Sequence, residues 1–446
     1  MNGNKRKYGL FTAITMIIGT VIGSGIFFKS ASVLEATGGS ISKGVLVFII
    51  AALAIIFGSL AISELASRTD KPGGIITYLE VFQSERMACA YGWFELLIHY
   101  PSTIAVVCWV IGIYFCTLFN LSGTLELQIL IGMVWLIICF IFNTFASKVG
   151  GYFQNAATII KLIPLVTIAI AGFIYGDPIG GMLKSSTSSL AGASLLSAVG
   201  PVAFSFDGWY ASTFLAHDIK DSKRNLPLAL IISPIIILIV YLFYFVGIST
   251  LIGPEKVVAL GQAHVAEAAS MLLGPLGTKL ILIFVTISVM GTANGLIMAY
   301  ARTPYSLGIR GMLPKENMLT SISKRYQMPI NSCTLSFIIS CIWIGIHYIC
   351  SSSGILGSSD VSEIAIVSSY LLYLPLYYQV YLLYKKGQIK SKIKGIVTPI
   401  LAALGSLVAL LGGLQNPMFI FYLTFCIMLL IAAGAFYSKK SSQGLS

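Results

Sequence analysis

The sequence predicts an all-α integral membrane protein of about twelve spanning helices, and three observations predict it. Of 446 residues, 57% are hydrophobic and only 10% are charged, with a mean hydropathy of +0.90, a composition outside the range of soluble domains. Apolar runs recur along the whole chain, each near the roughly 20 residues that a helix needs to cross a bilayer core. The polar stretches between them are too short for a separate soluble domain.

In chain order the predicted spans cover 10–36, 44–67, 87–119, 127–145, 152–175, 194–216, 226–252, 278–305, 330–350, 361–383, 396–413 and 417–437. The first follows the basic run Lys5 to Lys7 and carries the glycine-rich stretch GTVIGSGIFFKS, Gly19 to Ser30. It starts within ten residues of Met1 and has no small-residue cleavage site, so it reads as a retained span. The fifth holds one lysine, Lys161, in AATIIKLIPLVTIAI, and the sixth holds Pro201, Asp207 and Gly208 in AVGPVAFSFDGWYAS. The tenth ends before the basic run Lys385 to Lys394, and the twelfth before Lys439 and Lys440.

The net charge of +12 reports topology and not nucleic acid. With the amino terminus inside, the inner segments carry 21 Lys and Arg and the outer ones five: Lys29, Lys43, Lys184, Lys256 and Lys279. That is the positive-inside pattern, with both termini cytoplasmic and the chain in the cell membrane. The eight cysteines have no CxxC spacing, and the four histidines fall on separate segments, so no disulfide framework, metal site or cofactor is expected.

A hydrophobic helix carrying three glycines needs a reason. Gly19 and Gly23 alone would serve close helix approach. The second interruption, with an acidic residue at mid-membrane depth, changes the balance, because such a residue is too costly to be incidental. Breaks in the first and sixth of twelve spans occupy matching positions if five-helix units repeat with inverted topology, the pattern of a secondary transporter with its site at the midplane. A break exposes backbone. The outer half of helix one would offer the amides of Gly23, Ser24 and Gly25 and a positive dipole end to a carboxylate. The last carbonyls before each break, around Val21 in helix one and at Phe204, Ser205 and Asp207 in helix six, would suit an ammonium group. Together they describe a receptor for an α-amino acid.

Four stretches, GTVIGSGIFFKSASVLEATGG, SELASRTDKPGGIITYL, FSFDGW and RTPYSLGIRGMLP, jointly resemble the amino acid, polyamine and organocation transporter superfamily, and within it the L-amino acid transporter family of exchangers. The resemblance implies a leucine-transporter-type core of five plus five helices over 1–385, with two peripheral helices and a cytoplasmic tail over 386–446. It implies the same carboxylate and amine contacts, and makes Phe204 the aromatic that closes over the substrate. It puts the Lys161 ammonium where relatives hold a sodium ion, implying sodium independence, and matches Tyr244 to a tyrosine at the same junction.

Lys161 is a signal without the resemblance, too. Nine residues into its span, about 13 Å at ~1.5 Å per residue, it is too deep to snorkel comfortably. Proton coupling stays open, since burial makes a lysine proton-labile. Asp207 has three readings: partner of Lys161 or another polar group, recogniser of cationic substrates, or a side chain turned away with only its carbonyl used. The first and last are favoured. Glu64 and Glu95 are expected to be solvated or paired with Arg68, Lys71 or Arg86, and Arg302 and Arg310 to anchor the cytoplasmic gate. Selectivity is assigned to Phe204, Asp207, helix-three residues Ile104 to Cys108, and Asn294.

The expected function is sodium-independent exchange of small or medium neutral L-amino acids; proton symport and transport of cationic amino acids or polyamines are the alternatives, with a non-transporting sensor more remote. A channel would want a selectivity motif, and an enzyme clustered nucleophiles or metal ligands; neither is present. Animal members of the resembling family join a glycoprotein through a cysteine after helix three. Here that loop, FNLSGTLE, has none, so no heavy subunit is expected and the oligomeric state is left open.

Overall fold

A computed structural model describes residues 9–69, 71, 73–187, 195–210, 212–213, 219–356, 360–416 and 418–442. Among them the regular elements are all helical. Ten helices are long and apolar enough to cross a membrane, and one bent pair makes up to eleven. The remaining predicted span, the sixth, appears as a half-length helix.

The bent pair is the first span: α1 (Leu10–Val21) and α2 (Ser24–Ala36) meet at 50°. Next come α3 (Ile41–Ala66), the short α4 (Gly74–Phe82) and α5 (Glu85–Phe94). A π-helical turn, Glu95–His99, joins α5 to α6 (Tyr100–Phe119) as one span. The fourth and fifth spans are α7 (Leu125–Phe145), then α8 (Ser147–Ile160) with α9 (Leu162–Tyr175), and α10 (Pro178–Thr187) lies beyond them.

The second half of the chain begins with α11 (Val199–Phe206). It continues with α12 (Ser222–Ile252), α13 (Pro254–Leu260), α14 (His264–Tyr300), α15 (Thr303–Gly308) and α16 (Glu316–Leu319). The last spans are α17 (Ile330–Ser353), α18 (Val361–Lys385), α19 (Thr398–Gly413) and α20 (Phe419–Ser442).

Three interruptions have local causes. Lys161 is a turn residue between α8 and α9, three before Pro164, which has no amide for the carbonyl of Ile160 and whose ring crowds it. α11 ends where Asp207 turns extended (ψ 149°) and Gly208 takes φ 86°, a left-handed conformation that favours glycine. α14 is kinked at Gly274 (φ 64°) before Pro275, so its spanning part begins close to the predicted 278. Of the predicted sixth span, residues 194, 211 and 214–216 lie outside the described residues.

Exposed apolar side chains such as Leu130, Ile137, Ile170, Phe243 and Phe421 form the lipid-facing surface. Inside, small residues let backbones touch: a methyl added at Gly172 would lie 2.1 Å from the Gly247 carbonyl oxygen, the close approach by which membrane helices associate. α12 packs along α3 and α9 and against α1; α11 packs between α2, α3 and α18. The last two helices brace the rest from outside, α19 along α3 and α18, and α20 along α5.

Candidate functional site

The site is built around the break between α1 and α2. Gly23 is extended there (φ −172°), and it opens α2, whose first amides have no partner within the helix. A methyl added at Gly23 would lie 1.9 Å from the Thr292 hydroxyl oxygen of α14, and one at Gly25 would lie 2.6 Å from the Ser205 Cα. Backbone meets backbone at Gly25, so α2 and α11 hold the two breaks side by side.

Across from those amides, the Tyr241 hydroxyl lies 2.9 Å from the Val21 carbonyl oxygen and 2.6 Å from that of Ser205. These are two of the oxygens assigned to a substrate amine. One O–H proton serves one of them at a time, so Tyr241 bridges the segments that precede the breaks in helices one and six. Its ring packs on Phe48 and Phe206. The Phe204 carbonyl accepts from the Asp207 amide at 3.2 Å.

Lys161 is 0% exposed and donates to the Gly19 carbonyl at 2.5 Å. Among the described residues no carboxylate lies within ion-pair distance of it. The Gly19 contact ties α1 to the turn between α8 and α9, and so helix one to helix five.

Three residues expected at the site have other contacts in the structure. Tyr244 is buried with its hydroxyl unpartnered among the described residues, and its ring stands edge-on to Phe27; the tyrosine at the breaks is Tyr241, one turn earlier. Asn294 does not line a pocket. Its amide nitrogen donates to Gly150 O at 3.0 Å and Gln154 Oε1 at 2.9 Å, and its oxygen accepts from Asn143 at 2.7 Å, which consumes the side chain in tying α14 to α7 and α8. Cys108 belongs to the contact of α6 with α7: a methyl at Gly132 would meet its carbonyl oxygen at 2.4 Å.

Of the acidic residues, Glu64 has the partner expected of it and Glu95 does not. Glu64 pairs with Arg68 at 3.1 Å and Lys394 at 2.9 Å, but Glu95 is buried and lies 3.2 Å from His99 Nδ1. The Asp207 carboxylate is 3.3 Å from His99 Nε2, so its partner is a histidine and not Lys161. Arg310 joins Glu80 at 3.0 Å and Thr77 at 3.1 Å, tying α15 to α4.

Lys29, counted among the outer-side cations, is buried. Its ammonium lies 2.7 Å from Asp360 and 2.5 Å from Glu363 at the start of α18, and about 5 Å from the rings of Phe28 (4.8 Å) and Phe204 (5.0 Å). The outer side of Phe204 is thereby capped by an ion triad linking α2 to α18. A signal existed in the sequence: Lys29 falls inside a predicted span, where a lysine needs a partner, and Asp360 and Glu363 flank the start of another.

Two breaks with facing backbone ends, joined by a tyrosine, accord with a match to the family model described as amino acid permease, which extends over residues 8–444. The chain belongs to the amino acid permease family. This permease is 28% identical over 411 residues to the serine/threonine exchanger SteT of Bacillus subtilis, covering 91% of this chain and 90% of that protein. It is 28% identical over 350 residues to the human b(0,+)-type amino acid transporter 1, covering 76% and 70%. With the human cystine/glutamate transporter it shares 29% over 333 residues, covering 73% and 65%. The permease is thus a multi-pass membrane protein of the amino acid, polyamine and organocation superfamily with a leucine-transporter-type core.

Proposed function

We propose that this permease is a sodium-independent exchanger of small or medium neutral L-amino acids, a transporter and not an enzyme. The carboxylate binds the amides of Gly23, Ser24 and Gly25, and the amine binds the carbonyls of Val21, Phe204, Ser205 and Asp207. Phe204 closes the site on the outer side, beneath the Lys29 triad.

The observation that supports sodium independence is the Lys161 ammonium, buried, without a carboxylate among the described residues, and hydrogen-bonded to Gly19 O at 2.5 Å. An ammonium there stands in for a coupling sodium ion. Exchange is supported by Tyr241, whose hydroxyl reaches carbonyls at both breaks and ties them together unless an amino acid displaces it, which disfavours reorientation of an empty carrier. A neutral side chain is supported by the engagement of Asp207 with His99, which occupies the acid a cationic side chain would use, and by the serine/threonine exchange named for the Bacillus relative.

The charge bias orients both termini to the cytoplasm. The loop after helix three has no cysteine, and Cys116 is buried in α6, so the permease works without a disulfide-linked subunit. The test is uptake of labelled L-serine by proteoliposomes, loaded with unlabelled L-serine or empty, in sodium or choline buffer. Expected is strong stimulation by internal serine and indifference to sodium. Equal uptake in loaded and empty vesicles refutes exchange, a sodium requirement refutes the Lys161 role, and preference for arginine or putrescine refutes the neutral pocket.

A further inference from the structure

One buried ionisable cluster has no part in that scheme. The π-helical turn Glu95–His99 puts both side chains on one face, and such single-turn bulges concentrate at functional sites. His99 Nδ1 is 3.2 Å from Glu95 Oε2, and its Nε2 is 3.3 Å from Asp207 Oδ1. All three are at least nine-tenths buried. The imidazole therefore lies between a carboxylate of helix three and a carboxylate on the broken segment of helix six.

The groups facing this cluster are phenols. Tyr91 and Tyr100 come from the same span, Tyr210 from beyond the break with its hydroxyl 3.5 Å from Glu95 Oε1, and Tyr370 and Tyr373 from α18. Tyr300 of α14 stacks on Tyr100 and donates to Leu96 O. Among the described residues neither lysine nor arginine lies within ion-pair distance of either acid, in contrast to Asp360 and Glu363, which share Lys29. Two carboxylates in a dry site demand positive charge. With no fixed cation beside them among the described residues, a proton on the imidazole supplies it.

The position of that proton matters because of Asp207. Its carboxylate faces His99, while its backbone belongs to the break where the substrate amine is placed. We propose that Glu95, His99 and Asp207 form a proton-binding site of the carrier, and that an amino acid binding at the helix-six break expels the proton. In the step, the N–H bond at the imidazole breaks, its electron pair stays on the ring nitrogen, and the proton passes to water. The incoming ammonium replaces its charge beside Asp207. This coupling rests on the amine site proposed above. Proton release on binding makes substrate affinity rise with pH over the range in which the cluster titrates, and by reciprocity makes substrate and proton compete.

The test is nitrogen NMR of the full permease in lipid nanodiscs, labelled at its four histidines. One imidazolium signal is expected near pH 7, absent in His99→Gln and lost from the unaltered protein on saturation with L-serine. Asp207→Asn keeps the ring and is expected to confine the imidazolium signal to lower pH. Calorimetry of L-serine binding in two buffers of different ionisation enthalpy should count one proton released per molecule in the unaltered protein and none in His99→Gln. The proposal is overturned if the resonances missing from His99→Gln are those of neutral imidazole throughout pH 6–8, if saturating serine leaves the imidazolium in place, or if both proteins release the same number of protons. Absence of serine binding counts against the neutral amino acid reading alone, since the ligand-free histidine spectrum still judges the proton site.

Discussion

Tyr241→Phe isolates a single hydroxyl. The ring keeps its contacts with Phe48 and Phe206, at centroid distances of 6.2 and 5.1 Å, so no cavity opens and the substitution removes only the bridge from Val21 O (2.9 Å) to Ser205 O (2.6 Å). A buried hydrogen bond contributes about 1 kcal/mol net. That loss falls on the empty carrier, because a bound ammonium would satisfy the same carbonyls. The empty protein should therefore lose thermal resistance, and the amino acid, freed from a competitor, should bind roughly fivefold tighter for ~1 kcal/mol. Stronger binding need not mean faster exchange. Reorientation of the empty carrier should quicken, so uptake into unloaded vesicles should rise relative to loaded ones. The assay pairs equilibrium binding of labelled L-serine with heat inactivation of ligand-free protein. Weaker serine binding with unchanged thermal resistance would refute the reasoning and make the hydroxyl a contact of the substrate.

Further outcomes concern residues elsewhere. Lys161→Ala should reduce exchange by at least a hundredfold while the protein still reaches the membrane, measured as uptake per reconstituted carrier. Lys29→Met leaves Asp360 and Glu363 buried without their cation and should cost about 3–5 kcal/mol, seen as a sharp drop in inactivation temperature; adding Asp360→Asn and Glu363→Gln should restore much of it, and no recovery would remove the ion triad from the account. Asn294→Ala should destabilise the permease by about 1–3 kcal/mol, since it removes the buried hydrogen bonds with Asn143, Gly150 and Gln154, yet leave the concentration dependence of serine uptake unchanged; a large rise in that dependence would return Asn294 to the pocket.

The Lys29 triad and the Lys161 contact show how one residue type serves two ends. Lys29 is neutralised by acids and binds two helices on the outer side. Lys161 has a carbonyl instead, which leaves its charge unneutralised among the described residues. Buried ion pairs contribute little net stability against an apolar replacement, so the triad is better understood as a device that fixes how α2 meets α18 than as a source of overall stability.

What the sequence by itself determined is what depends on neighbours along the chain. Hydropathy located the spans, since each must be apolar over a bilayer's thickness whatever it packs against. The two breaks were legible because glycine, proline and aspartate interrupt a helical ladder locally, and Lys161 because its depth follows from counting residues. The tertiary structure decided the partners. Lys29 meets Asp360 and Glu363 across more than 330 residues, and read alone it is a lysine near a helix end. Glu95 and Asp207 share His99 only because a π-helical turn aims helix three at the break in helix six. Tyr241 and Tyr244 stand on one face of α12, about 4.5 Å apart along its axis at ~1.5 Å per residue, so composition and periodicity treat them alike. Which of them reaches the carbonyls depends on how far α12 slides along α1 and α3, a register fixed by side chains distant in sequence.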